Sequence, residues 1–209
     1  MEEKLYLERP SIDRKDEAID YINEHIKYGS AINGTGSLDK CVIDENTTYE
    51  MWLDKINKQW DMEPSELLVP AETYFLVRES DNKIVGMINI RKMLNNTLIQ
   101  SGGGHIGYGI RPSERRKGYN KVNLYLGLKR LQELGIKEAM LGCVTTNLGS
   151  SKTMKALGAK LSRTTIWKGN EHEVYLIDVD KSLEEYKDTY EKLIARDVLI
   201  PEKSNIKIK

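Results

Sequence analysis

Arg111-Pro112-Ser113-Glu114-Arg115-Arg116-Lys117-Gly118-Tyr119-Asn120 is the stretch on which the fold turns. Just before it, His105-Ile-Gly-Tyr-Gly-Ile110 reads as a strand; just after it, Leu124, Leu128 and Leu131 recur at helical spacing. A strand ends, Pro112 stiffens the exit, and a basic turn with one glycine leads straight into a helix. That arrangement suits phosphate. The first N–H groups of a helix have no partner within the helix, and the helix dipole adds partial positive charge there. Gly118 removes a side chain where an anion's oxygens must come close. Arg115, Arg116 and Lys117 add charge around the turn. A solvated loop with a capping glycine fits the same residues as well, so the turn alone does not decide the matter.

The flanking elements supply the context. Upstream, Tyr74–Arg78 and Ile84–Arg91 read as two strands joined by the turn Asp81-Asn-Lys83, a hairpin. Leu94–Gln100 reads as a polar connection into Gly102-Gly-Gly104. Nearer the start, Leu5-Tyr-Leu7 is a short strand, and Ser11 or Asp13 offers the cap of a helix to about Tyr28, with Ala18, Ile19, Ile22 and Ile26 on one face. Gly29–Asp44 reads as a loop, and Thr47 or Thr48 caps a second helix carrying Trp52, Ile56 and Trp60. Downstream, Gly135 ends the central helix, and Lys137–Val144 is a strand. Asn147 caps a short helix that ends at Gly158, and Leu161–Trp167 pairs with Glu173–Val179 through Lys168-Gly-Asn170. Asp180 or Ser182 caps a terminal helix, Leu183–Ala195, before a polar tail beyond Pro201. This order gives an α/β class of the mixed α+β kind, neither a doubly wound alternation nor a run of strands.

Arg115-x-x-Gly118 directly after Gly107-Tyr-Gly-Ile-Arg-Pro112, with Asn147-x-x-Ser150 on the next helix and Leu157-Gly-Ala159 beyond, resembles the GNAT family of N-acetyltransferases. The resemblance covers about Tyr74 to Trp167. It implies a mostly antiparallel mixed sheet, splayed open between two parallel strands at 105–110 and 137–144, flanked by helices and extended by a C-terminal helix. It implies acetyl-coenzyme A in the split. Residues 1–180 would form one acetyltransferase domain, with helices of 1–72 on the acceptor side and 73–167 as the coenzyme-binding core, and 181–209 would add the C-terminal helix and tail. The family's phosphate motif, Arg/Gln-x-x-Gly-x-Gly/Ala, falls on Arg115, Gly118 and Asn120, and Asn120 departs from it. By the same resemblance Arg116, Lys117 and Tyr119 complete the phosphate turn. A backbone amide among Tyr108, Gly109 and Ile110 takes the acetyl carbonyl. Asn147, with Ser150, meets the pantetheine arm or orders its loop.

Acetyl transfer to an amine needs a neutral amine, a polarised thioester carbonyl and a leaving thiolate. Many family members protonate the thiolate with a tyrosine whose position here is Met154. Either another group protonates the thiolate, with Tyr108 and Tyr119 as candidates, or the thiolate leaves unaided and takes a proton from water. His105, at the start of the strand lining the split, is the candidate base, and a purely structural histidine is the competing reading. Glu72 and Glu114 are further candidate bases. Cys143 reads as a core residue rather than an acyl carrier. Trp52, Trp60 and Tyr49 either line an acceptor pocket or pack in the core.

Composition narrows the classes. The 209 residues carry 32 Lys plus Arg against 32 Asp plus Glu, without the basic excess of a nucleic-acid binder. Charged residues are 31% and apolar residues 39% of the chain. Two cysteines and three scattered histidines form no zinc pattern, so no metal is expected. No membrane-length apolar run and no signal peptide are visible, which predicts no membrane partner and a cytoplasmic location. The sequons at Asn33, Asn46 and Asn95 are then chance matches. The expected function is direct acetyl transfer from acetyl-coenzyme A to a primary amine on a small molecule or peptide. The terminal helix 183–195 would be available for a homodimer contact. A non-catalytic coenzyme A-binding, sensing or interaction module is the alternative, and a nucleotide-binding protein is disfavoured by the missing Gly-x-x-x-x-Gly-Lys-Ser/Thr motif.

Overall fold

The computed structural model describes residues 3–201. Alternating apolar residues build the first layer: β1 (Leu5–Glu8), β2 (Ala71–Arg78), β3 (Lys83–Arg91) and β4 (Ile106–Ile110). β1, β2, β3 and β4 pair antiparallel in that order, and β8 (Ile194–Leu199) adds to the far side of β1 in parallel. A second, three-stranded antiparallel sheet runs β5 (Glu138–Val144), β7 (Asn170–Asp178), β6 (Lys160–Trp167). The sheet is thus divided between β4 and β5, as the family resemblance implies.

β2 is buried almost throughout because both of its faces are covered. Tyr74 and Leu76 join the core under α5 (Tyr119–Glu133). Phe75 and Val77 face the other way, toward α1 (Lys15–Lys27) and α3 (Tyr49–Gln59). Leu124, Leu128 and Leu131 of α5 are fully buried. At ~25 cal/mol per Å² of apolar surface, each contributes on the order of 2 kcal/mol. Gly135, at φ +77°, stops the helix with the Ile136 N–H bonded to the Leu131 carbonyl at 2.9 Å.

Several local expectations are corrected. α1 starts one turn late, after a 3-10 turn at Ile12–Arg14, and neither Ser11 nor Asp13 caps it. Its buried face is Ala18, Tyr21, Ile22 and His25, and Ile26 points outward. Within the Gly29–Asp44 loop, Lys40–Ile43 forms one helical turn, α2. The polar connection after Leu94 contains α4 (Asn96–Ser101), capped by the Asn95 side chain. α6 (Leu148–Lys155) is capped by Asn147 as expected. α7 (Val179–Tyr190) is capped by Asp178 rather than Asp180 or Ser182, and ends short of Ala195. The chain then turns into β8, so this segment completes the main sheet instead of trailing from it. The polar tail from residue 202 lies outside the described residues.

Between α4 and β4 the chain passes over β5, backbone against backbone. A Cβ at Gly104, which sits at φ +66°, would strike the Met140 carbonyl, and one at Gly142 would strike the Gly102 carbonyl. Side chains cannot be accommodated at this crossing.

Two buried groups contribute to the acid sensitivity of the fold. His25 is 1% exposed, its Nδ1–H donates to the Ala31 carbonyl at 3.3 Å and its Nε2 is unpartnered. Burial pulls its pKa from 6.5 down to about 4. Glu114, although buried, accepts from Lys117, Arg78 and Lys83, which together bring its pKa from 4.5 down to about 2. In both cases the unfolded chain takes up its proton first as pH falls. Stability is therefore expected to decline from pH 6.5 to 4 through His25, and again from 4.5 to 2 through Glu114. Urea midpoints across this range should show the first decline, about 1–3 kcal/mol. His25→Gln should flatten it. A wild-type profile level from pH 7 to 4.5 would contradict the assignment.

Candidate functional site

The basic turn is built on a neutralised foundation. Arg111 is 2% exposed and points back under α1, pairing through Nη1 with Asp20 at 2.6 Å and Glu24 at 3.1 Å. Glu24 also accepts the Ser113 N–H at 2.7 Å. Glu114, held by Arg78, Lys83 and Lys117, completes the support. Carboxylates therefore sit beneath the turn, and Arg115, Arg116, Lys117 and Gly118 face solvent. Arg115 donates to the Ile110 carbonyl at 3.2 Å and to Ser30 Oγ at 2.5 Å, which ties the turn to the end of α1. Gly118 stands at φ +83° as the first cap of α5, no side chain caps that helix, and a Cβ added there would meet nothing within 4 Å. The first-turn N–H groups thus open onto clear space ringed by cations, which fits a diphosphate.

Tyr119 lends its backbone to this turn but not its ring. The ring is buried beside Arg78, whose Nη1 donates to its hydroxyl at 3.3 Å. Asn120 is turned aside too. Its Nδ2 donates to Thr153 Oγ1 at 3.3 Å, joining α5 to α6. The side chain that departs from the family motif is thereby directed to the neighbouring helix.

Deeper in the division, β4, β5 and α6 converge. Tyr108 Oη lies 2.9 Å from Ser150 Oγ across the split. Burial pushes the Tyr108 phenol well above its ordinary pKa, so it keeps its proton at neutral pH. Asn147 Oδ1 accepts the Ser150 N–H at 3.1 Å and so orders the start of α6. Cys143 is buried on β5, and desolvation raises its thiol pKa. Met154 is fully buried in the core under α5, with no face toward the split. Gly109 and Ile110 lie on β4, where Ile110 is buried and Gly109 is half-buried.

His105 closes the narrow end of the split. Its N–H donates to the Met140 carbonyl at 2.7 Å, and its Nδ1 accepts the Met140 N–H at 3.0 Å. The ring replaces a strand residue in bridging β4 to β5. Burial lowers its pKa. In the neutral ring the proton is on Nε2 and the Nδ1 lone pair is engaged, so neither nitrogen is free to take a proton. Glu72 is also committed elsewhere: it is 1% exposed, pairs through both oxygens with Arg130 at 3.0 Å, and accepts from Tyr74 at 2.7 Å.

Beside the end of β3 lies a cavity of about 350 Å³, walled by the 32–39 loop, Lys55 and Gln59 of α3, Leu67 to Val69, Asn89 and Arg91 of β3, and Leu98 of α4. The loop reaches β4 because glycines meet there: a Cβ on Gly34, at φ +74°, would lie 2.6 Å from both the Gly107 oxygen and the Tyr108 Cα. Trp52, Trp60 and Tyr49 do not line the cavity. Trp52 is core, and its indole N–H holds the loop by donating to the Thr35 carbonyl at 3.0 Å. Tyr49 donates to the Ser11 carbonyl, and Trp60 stacks under Arg9 at 4.0 Å. Sequence reasoning missed Arg91, Asp39 and Lys55. The one local signal was an arginine ending an otherwise apolar strand, Ile-Val-Gly-Met-Ile-Asn-Ile-Arg91.

Among the described residues, no cluster of three His, Cys, Asp or Glu side chains is placed to hold a metal ion, and no helix is long and apolar enough to cross a membrane.

Comparison with known proteins matches residues 38–159 to the model of the acetyltransferase (GNAT) family. No curated protein sequence matches the chain. Solved structures share the fold at low identity. The microcin C7 self-immunity acetyltransferase MccE, solved with acetyl-CoA and AMP, is 18% identical with a TM-score of 0.57, over 84% of this chain and 92% of that one. An acetyltransferase (GNAT family) from Bacillus anthracis is 16% identical with a TM-score of 0.55, over 86% and 98%. The spermidine/spermine N-acetyltransferase SpeG of Vibrio cholerae is 13% identical with a TM-score of 0.57, over 87% and 98%. With the family model spanning more than half of its length, and the split sheet and basic helix-capping turn in place, this chain belongs to the GNAT acetyltransferase family.

Proposed function

We propose that the protein transfers an acetyl group from acetyl-coenzyme A to a primary amine that enters by way of the cavity beside β3. The observation that carries this reading is the uncapped start of α5 at Gly118, open and ringed by exposed Arg115, Arg116 and Lys117, at the end of a strand that also carries the loop walling a cavity. Backbone N–H groups at Gly118, Tyr119 and Asn120, with Arg116 and Lys117, hold the diphosphate. Asn147 and Ser150 shape the wall along the pantetheine arm. The coenzyme supplies the activated acetyl group, and an amide at Gly109 or Ile110 polarises its carbonyl.

The chain's own groups favour direct attack by the amine. Cys143 Sγ reaches the Asn147 carbonyl at 3.9 Å, and burial disfavours its thiolate, so it makes a poor acyl carrier. Tyr108 is the protonated hydroxyl nearest the split's interior and is the candidate donor to the departing thiolate. With the His105 lone pair engaged, the amine's proton leaves to solvent. A second reading, a coenzyme-binding module without chemistry, is favoured by the burial of Met154 where the family carries a tyrosine.

One set of measurements separates the two. Acetyl-coenzyme A should raise the melting temperature, since a ligand bound only by the folded state stabilises it, and should release free thiol when amines are added. Stabilisation without thiol release across an amine panel would favour the binding module. No stabilisation and no heat on titration would remove both readings. Mass spectrometry after brief reaction should find no acetyl adduct on Cys143. An adduct discharged by amine at the turnover rate would replace direct attack with a two-step route.

A further inference from the structure

Arg91 is the anomaly of the cavity. Four other arginines that are largely shielded from solvent meet carboxylates: Arg14 with Glu8, Arg78 with Glu114, Arg111 with Asp20 and Glu24, and Arg130 with Glu72. Arg91 is shielded as well, and desolvation alone lowers its pKa, yet it forms no ion pair among the described residues. Its Nη1 donates to the backbone carbonyls of Gly104 at 2.9 Å and Gly103 at 3.4 Å. Those two bonds fix the guanidinium plane and leave the Nε–Nη2 side without a protein acceptor. That side is open rather than sealed in protein, so a ligand can reach it, and an anion there would give the charge the partner that the other four arginines already have.

The free side lies on the cavity, which Arg91 lines with Lys55 and Asp39, two cations against one anion. Lys55 is occupied by the Gly36 carbonyl and Ser37 Oγ, both at 3.2 Å. Arg91 also lies close to the strand that borders the split. Its Nη2 is 3.9 Å from where a Cβ on Gly107 would stand. Gly107 precedes Gly109 by two strand residues, a span of about 7 Å. An anion at Arg91 would therefore sit beside the strand that carries Gly109, on the far side of the loop residues that cover it. The planar fork of a guanidinium matches carboxylate and phosphate equally. A cavity of about 350 Å³ is the size of a small-molecule site.

We infer that the acetyl acceptor is a small anionic amine, whose carboxylate or phosphate is gripped by the free side of Arg91 in the cavity walled by the 32–39 loop and β3. This rests on the acetyltransferase reading for the amine and stands apart from it for the anion. The surplus cation repels polyamines, and a neutral amine leaves the guanidinium unpaired.

The test compares wild type, Arg91→Gln and Arg91→Lys against α-amino acids, their carboxamides, phosphoethanolamine and spermidine, by thiol release. Amines bearing an anion should exceed their neutral counterparts in kcat/KM by roughly 100-fold. Arg91→Gln should erase the difference through KM while leaving the affinity for acetyl-coenzyme A unchanged, and Arg91→Lys should retain part of it. Amino acids against phosphoethanolamine identifies which anion is preferred. Preference for carboxamides or spermidine, or a preference that Arg91→Gln leaves intact, overturns the inference while the acetyltransferase stands. Calorimetry with the same amines, without coenzyme, decides the case if no turnover is seen. Binding of the anionic amines that is lost in Arg91→Gln supports the inference, and no binding to folded wild type overturns it. Failure to bind acetyl-coenzyme A would instead remove both coenzyme readings, and with them the acceptor role, and leave the anion site at Arg91 to be decided by the calorimetry. Melting curves verify that each variant is folded.

Discussion

Gly118→Val should lose coenzyme binding by at least about 100-fold while the chain stays folded. Two effects act together. At φ +83° a β-branched residue is strained by roughly 1–3 kcal/mol, which pulls the turn out of its present shape. The valine methyls also project into the space where a Cβ meets nothing within 4 Å, at the open end of the first-turn N–H groups. The fold should survive because α5 is anchored further along by Leu124, Leu128 and Leu131, all fully buried. Gly118→Asn separates the two effects, since asparagine tolerates left-handed backbone better than valine and should retain intermediate affinity. Calorimetric titration with coenzyme A reads both variants. Normal affinity in Gly118→Val would mean that the diphosphate is held elsewhere.

A large loss of stability from a single methyl should come from Gly104→Ala, about 3–5 kcal/mol. The residue sits at φ +66°, and its new Cβ would collide with the Met140 carbonyl where the chain crosses β5. Backbone cannot yield as a flexible side chain does, so the strain of the angle and the displacement of β5 add. Gly135→Ala is the control. It has nearly the same angle, φ +77°, but nothing within 4 Å of the added methyl, and should cost only about 1 kcal/mol. Urea unfolding of both variants measures the difference. Equal losses would show that the collision is relieved by movement of the crossing segment.

What sequence revealed and what it hid follow from how local each signal is. The β2–β3 hairpin, the strand–turn–helix at Gly118 and the cap at Asn147 were legible because alternation, left-handed glycine and capping chemistry are properties of neighbouring residues. β8 was not, because an edge strand of six residues interrupted by Arg196 and Asp197 carries too little alternation to stand out from the end of a helix. The role of His105 was undecidable for a different reason. A base and a strand bridge use the same ring, and only the position of the Met140 N–H, 35 residues away, separates them. The cavity draws its wall from the 32–39 loop, Lys55, Gln59, the 67–69 connection, Asn89, Arg91 and Leu98, segments that no periodicity links. Its charge imbalance becomes visible only when the pairing of every neighbouring arginine is known.

The parallel seat of β8 against β1 bears on the order in which the protein can be finished on the ribosome. β1 gains its antiparallel partner once β2 is made, but Leu5 pairs on its other side with Ile194, far later in the chain. At a synthesis rate of about 5–20 residues per second, that edge waits roughly ten to forty seconds for its last strand. For that interval the nascent sheet presents an unpaired row of backbone donors and acceptors beside a largely apolar face, the condition under which chaperones or neighbouring polysomes find a strand to bind.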